Sequence, residues 1–376
     1  SSVITMNNGQ TWDLMFFHSR GEKTDHMTWV KGESIAAQGE VLGEQSENLP
    51  EDLKKTITPD LTTMSAVSTD EGSFGATSGD VNDKMASLGI FQWAMLRNKA
   101  DNTSSMAMFF KKLKERATAP ITGTDPSDEQ QLYIDAWKAC TDKGLDIDAA
   151  GFITLHKHRA TGGQVEAAMH GVLGHNNDLK TYQMVAGHDW IQDFKTDKVW
   201  PGPTGKGSLG HGFRYGKDSA TFNPDKKHTI EVSAPGTAST VGDYFQSDKA
   251  VGMAVMLGVN RPHWVSFTIW RALDPAIDPK KRTGELLTAL IDKMPKPSPG
   301  KSLTIDQSAA AAAGHDALLA YGNLQSFLWP AKRAVPNEDL FIAEFQRQAM
   351  SLYARTEKTD RHRQHRFSTI EGAFHQ

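Results

Sequence analysis

The chain has 376 residues, 38% hydrophobic and 23% charged, which is enough apolar material for a sizeable core in one large or two to three ordinary domains. Its formal charge of −4 is mild and argues against a dedicated nucleic-acid binder, for which a strongly basic surface is expected. The single cysteine, Cys140, excludes an internal disulfide and a Cys-rich zinc site, and no apolar run is long enough to suggest a membrane span.

Residues 1–57 read as a β-rich segment. VITMNNGQTWDLMFF holds an Asn-Asn-Gly turn between two β-prone runs and suits a hairpin. HMTWVKGESIAAQGEVLG has the same character, with glycines as punctuation, and the polar, Pro-bearing EQSENLPEDLKKTITPD reads as a connection. The opening residues have neither a basic n-region nor an apolar h-region, so no signal peptide is expected.

Residues 58–198 form the predicted helical core. LTTMSAVSTDEG carries Leu61, Met64, Ala66 and Val67 at spacings that suit a buried helix ending near Gly72. SSMAMFFKKLKERA, from Ser104 to Ala117, is amphipathic with a cationic last turn. DPSDEQQLYIDAWKACTDKG starts on an Asp/Ser cap, closes on Gly144 and carries Cys140 as a small buried side chain. GGQVEAAMHGVLGH and DLKTYQMVAGHDWIQDF read as further helices. Residues 199–240 are rich in Gly and Pro, with one clear strand from His228 to Ser233. Helices return over 241–376 in VGDYFQSDKAVGMAVMLGV, HWVSFTIWRAL, RTGELLTALIDKM, DQSAAAAAGHDALLAYGNLQSFL and NEDLFIAEFQRQAMSLYARTE. The five-alanine run at Ala309 suits a close-packing helix surface, and the basic RHRQHRF suits a solvated tail. The fold class is therefore mainly α (α+β), with small β elements at the N-terminus and near residues 200–240.

One stretch points to chemistry: STDEGSFGATSGDVNDKMASLGIFQW, from Ser68 to Trp93. Cleaving a glycosidic bond needs a protonated acid at the leaving oxygen, with a pKa raised by apolar neighbours. Glu71, at the end of a buried helix and flanked in sequence by Val67 and Phe74, suits that role. A second carboxylate must stand further off if water is the nucleophile, and Asp80 and Asp83 lie on the following loop. Gly89 offers close backbone approach and Gln92 an amide for a sugar or N-acetyl group.

These residues resemble goose-type lysozymes and soluble lytic transglycosylases. In those families a catalytic Glu closes a helix, usually followed by Ser, and a Gly-(Leu/Ile)-(Met/Phe)-Gln segment comes some twenty residues later. Here Glu71 is followed by Gly72, and SLGIFQW supplies Gly89, Ile90, Phe91 and Gln92, with Gln92 21 residues beyond Glu71. The resemblance implies a lysozyme-like helical domain in which Glu71 is the general acid/base. It also implies that Ser87, Gly89, Phe91 and Gln92 line the substrate site. Asp83 sits near the water-activating aspartate of goose-type enzymes, whereas in lytic transglycosylases the substrate's own hydroxyl attacks. The Ala-Tyr-Asn element, whose Tyr supports the catalytic Glu, has a loose counterpart in LLAYGNL, which would assign that part to Tyr321.

The expected function is cleavage of the β-1,4 glycan of bacterial peptidoglycan, without cofactor or metal. The expected place of action is the bacterial wall or periplasm, reached as a phage or secreted lytic protein. The alternatives are a chitosanase- or chitinase-type glycosidase of the same superfamily, or a phage structural protein with a degenerate lysozyme-like domain. Other motifs argue for little. GKGSLG, from Gly205 to Gly210, matches a dinucleotide fingerprint but follows no strand. His156, His158, His170, His175 and His188 have no metal-ligand spacing. Trp190, Trp200, Phe213, Tyr215, Trp264 and Trp270 suit either sugar stacking or, more commonly, core packing.

Overall fold

The computed structural model describes residues 2–5, 11–14, 28–29, 42–72, 74–75, 77–78, 84–96, 104–142, 173–174, 176–200, 214–215, 218–260, 262–332 and 337–356. Over these the chain is mainly helical with a few small strands, the α+β class predicted from sequence. It divides into two compact units, one up to Ile191 and one from Gln192.

In the first unit, β1 (Ser2–Thr5) and β2 (Thr11–Leu14) form the predicted antiparallel hairpin, with Ser2 opposite Leu14 and Thr5 opposite Thr11. The stretch expected to be a connection is instead helix α1 (Glu51–Ile57), followed by a 3-10 turn over Thr58–Asp60. Pro50 caps α1, where no helical N–H is required of it. Glu51 and Asp52 occupy its positive end, Lys54 and Lys55 its last turn, and Ile57 is buried. A short helix with one buried anchor leaves little hydrophobic periodicity to read.

Helix α2 (Leu61–Glu71) buries Met64, Ala66 and Val67, three of the residues picked out by spacing. It stops where Gly72 adopts φ 153° and ψ 162°, a backbone conformation essentially confined to glycine. The Gly72 N–H still donates to the Ser68 carbonyl at 2.8 Å.

A four-stranded sheet contains β3 (Thr28–Trp29), β4 (Thr77–Ser78), β5 (Lys84–Leu88) and β6 (Trp93–Leu96) in that order, each pair antiparallel. The β5–β6 hairpin closes with Leu88 opposite Trp93, so residues 89–92 form its tip.

Besides short helical stretches at 42–46 and 173–174, the described part of this unit also holds three longer helices: α3 (Ser105–Ala117), α4 (Asp128–Thr141) and α5 (Asn177–Lys195), the last belonging to it as far as Ile191. Ser127 accepts from the Gln130 N–H, so the predicted Asp/Ser cap of α4 forms, and Ser104 accepts from the Ala107 N–H at the start of α3. Met106, Phe109 and Leu113 make the buried face of α3, and Cys140 is buried on α4, as expected for a small apolar side chain. A chain of rings ties the hairpin to the helices. Phe91 packs on Trp93 (centroids 5.8 Å apart), Trp93 on Phe109 (4.7 Å), Phe109 on Tyr182 (5.0 Å) and Tyr182 on Tyr133 (5.9 Å).

The second unit holds a four-stranded sheet of β7 (Arg214–Tyr215), β8 (Ser219–Phe222), β9 (His228–Ser233) and β10 (Leu303–Ile305), in the order β10-β9-β8-β7. Only β10 runs parallel to its neighbour. Strand β9 is the one read from sequence. Its inward side chains Ile230 and Val232 pack in a core with Phe222, Ile305, Leu290, Leu324 and Trp329.

Helices α6 (Asp248–Asn260) and α7 (Pro262–Leu273) are apolar nearly all round, and their described residues from Ala250 to Leu257 and from Trp264 to Trp270 are buried throughout. They are followed by α8 (Pro279–Ile291), α9 (Gln307–Ala313), α10 (His315–Leu328) and α11 (Glu338–Thr356). The alanine run packs only at its start: Ala310 of α9 is buried in the core and Ala309 packs against it, whereas Ala311 to Ala313 are exposed and the predicted single helix breaks at Gly314. Among the described residues, no helix is long and apolar enough to cross a membrane.

Candidate active site

Two elements of the first unit carry the candidate site: the end of α2, which closes on Glu71, and the β5–β6 tip. The tip is held by its own residues. The Gln92 N–H donates to the Gly89 carbonyl at 3.0 Å, and the Gln92 side-chain Nε2 donates to the same carbonyl at 3.2 Å. Ser87 Oγ donates to Gln92 Oε1 at 2.7 Å. The amide that was expected to meet a sugar is therefore fixed in orientation by Ser87 and Gly89 together.

The tip is also strained. Gln92 has φ +47°, and it is the one non-glycine with positive φ among the described residues. An L-residue in the left-handed region costs about 1–2 kcal/mol, and such strain gathers at functional sites. Gly89 has φ +75°, and a Cβ there would stand 2.4 Å from Gln183 Oε1 and 2.8 Å from the Trp93 ring. Glycine is required twice over at that position, by backbone conformation and by space.

Gln183 is a site residue that sequence reasoning missed. It is fully buried on α5. Its Oε1 accepts from the Ile90 N–H at 3.1 Å, and its Nε2 donates to the Phe74 carbonyl at 2.9 Å. One side chain thus bonds the main chain three residues beyond Glu71 and the main chain of the tip. The only sequence signal was a polar residue inside the apolar TYQMV of a helix, 93 residues from Ile90 and 109 from Phe74.

The other candidates fall as follows. The side chain of Glu71 and both Asp80 and Asp83 lie outside the described residues. Ser87 is buried and supports Gln92. Phe91, expected at the substrate, is only 3% exposed; it stacks on Trp93 and meets Trp190 edge-on at 5.7 Å, a core position. Tyr321 belongs to the second unit, where its hydroxyl donates to the Glu231 carbonyl at 3.1 Å. Burial raises its pKa above that of an ordinary tyrosine.

Trp200, Trp264 and Trp270 are buried, as core packing requires, and Trp190 is half-buried. Phe213 and the Tyr215 side chain lie outside the described residues, as do His156, His158, His170 and His175. His188 pairs with the buried Asp60 through Nδ1 at 2.6 Å, joining α5 to the turn that starts α2. Among the described residues, no group of three or more His, Cys, Asp or Glu is placed to hold a metal ion.

A polar network braces the helices behind the tip. Arg116 donates to Asp189 at 2.7 Å, lies over the Tyr133 ring at 5.1 Å, and the Tyr133 hydroxyl donates to Glu129 at 2.7 Å. Burial works against the Arg116 charge, but Asp189 and the neighbouring tyrosine hydroxyls more than offset it, and the guanidinium pKa is raised. Burial likewise pushes the Tyr133 and Tyr182 hydroxyls well above the ordinary tyrosine range.

Compared with known proteins, the chain matches no family model, no curated protein and no solved structure.

Proposed function

We propose that the chain is a glycosidase that cleaves the β-1,4 glycan of bacterial peptidoglycan, with Glu71 as general acid/base. The observation that carries this reading is the buried Gln183 amide. It bonds the Phe74 carbonyl, just past Glu71, and the Ile90 N–H of the tip at once. The helix end that closes on an acid and the strained tip that presents Gln92 are thereby tied within one unit.

The chemistry follows from that pairing. Glu71 protonates the leaving oxygen while positive charge develops on the sugar ring. Gln92, oriented by Ser87 and Gly89, meets the sugar's polar groups. If water attacks, Asp83 or Asp80 activates it on the opposite face; otherwise a substrate hydroxyl closes an anhydro ring. The substrate is the glycan strand of the bacterial wall, reached as a phage-borne or secreted protein.

Product analysis tests the reading. The protein should release muropeptides from purified peptidoglycan and little from chitosan. Cleavage of chitosan alone would move the substrate to the cationic polymer, and cleavage of neither would leave a binding or structural protein.

A further inference from the structure

The role of Gln183 goes beyond filling the core. Both its partners are main-chain groups in irregular segments: the Ile90 N–H at the hairpin tip, and the Phe74 carbonyl in the stretch after α2. Two features fix the amide in place. The missing Cβ of Gly89 makes room for Oε1. The adjacent Tyr182 locks the rotation of α5, with its hydroxyl on the Phe109 carbonyl at 3.1 Å and its ring against Phe109 and Tyr133.

We propose that Gln183 is a positioning residue for the glycan-cleaving site, setting the placement of the Gly89–Gln92 tip relative to the foot of α2. This rests on the glycosidase reading of Glu71. Gln183 is buried and acts through the two segments it joins, not on the substrate. The role demands one donor and one acceptor on the same planar group, aimed in opposite senses. Methionine has the length but neither function. An ionised glutamate offers the Phe74 carbonyl a second acceptor in place of a donor. A neutral glutamic acid restores the donor–acceptor pair, and burial favours that neutral form as pH falls.

The experiment compares full-length wild type, Gln183→Met and Gln183→Glu on peptidoglycan fragments of defined length, with thermal unfolding as a check on folding. For Gln183→Met, kcat should fall ~10- to ~100-fold, the penalty of a small misplacement of reacting groups. Its KM should stay within about twofold, because the change acts on the transition state and not on uniform binding. For Gln183→Glu, the kcat ratio to wild type should rise as pH falls, a signature that simple loosening of the core would not give. An active wild type with a folded Gln183→Met variant of undiminished kcat would overturn the role of Gln183 and leave Glu71 in place. Should Gln183→Met fail to fold, the glutamate variant decides, and a pH-independent ratio would overturn the proposal. A wild type that cleaves nothing would bring down the glycosidase reading, and the positioning role with it.

Discussion

Gln92 holds a conformation that its side chain does not favour, and glycine would hold it with less strain. Gln92→Gly should relieve about 1 kcal/mol of backbone strain. It should also lose two side-chain hydrogen bonds, from Ser87 and to the Gly89 carbonyl, each worth about 1 kcal/mol. Urea unfolding should therefore give a stability about 1 kcal/mol below that of wild type, while wall lysis falls sharply. A variant of wild-type activity would mean that the strain serves no substrate. Gly89→Ala acts differently. Its Cβ would press on Gln183 and Trp93, and the positive φ adds strain, so a loss of about 1–3 kcal/mol is expected in the same measurement. Asp83→Asn separates the two chemistries. A hydrolase should lose nearly as much activity as with a Glu71 substitution, whereas a transglycosylase should keep it and leave 1,6-anhydro ends, read by mass spectrometry. At this scale the close backbone approach at Gly89 was legible in the sequence. Gln183 was not, because hydrogen bonds across 93 and 109 residues leave no local pattern.

Elements with long apolar faces were legible, as were the β1–β2 hairpin through its Asn-Asn-Gly turn and strand β9, but other short ones were not. Helix α3 announced itself through its apolar face and cationic last turn, α4 through its Asp/Ser cap, and α2 through Met64 and Val67. The β5–β6 hairpin did not, because KMASLGIFQWAML is a short apolar run that suits strand and helix alike. Its tip lacks the Asn-Gly or Asp-Gly signal that marks a two-residue turn. Strand β10 is three residues long and pairs in parallel with a strand some seventy residues earlier, so nothing nearby predicts it. The helix bracing behind the tip gives a prediction at this scale. Arg116 and Asp189 are 32% and 22% exposed, between the surface and buried limits. Arg116→Ala should lower the unfolding free energy by about 1–2 kcal/mol, measured by urea titration, as the Asp189 carboxylate loses its partner.

The molecule as a whole divides at Ile191 and Gln192, inside α5, so no turn or proline marks the division in sequence. The second unit carries an acid-sensitive feature. Burial pushes the Glu338 carboxyl up, but the Ser247 and Gln246 N–H groups that it caps hold it below its ordinary value. Asp243 is lowered in the same way, its burial outweighed by the Thr240 N–H and Lys332. A depressed folded-state pKa contributes stability that is present above the unfolded value, near pH 4, and is lost as pH falls through the folded value. Calorimetry should thus find a thermal midpoint that declines below about pH 4, with a shallower decline for Glu338→Gln. The activity claim rests on one carboxyl group, and the most direct test is a peptidoglycan zymogram of wild type beside Glu71→Gln, with cooperative unfolding verified for both. The account predicts clearing by wild type and a loss of ~10²- to ~10⁴-fold or more in the variant, because shape is kept and only the proton donor is removed. Clearing at the wild-type rate by a folded Glu71→Gln variant would contradict it.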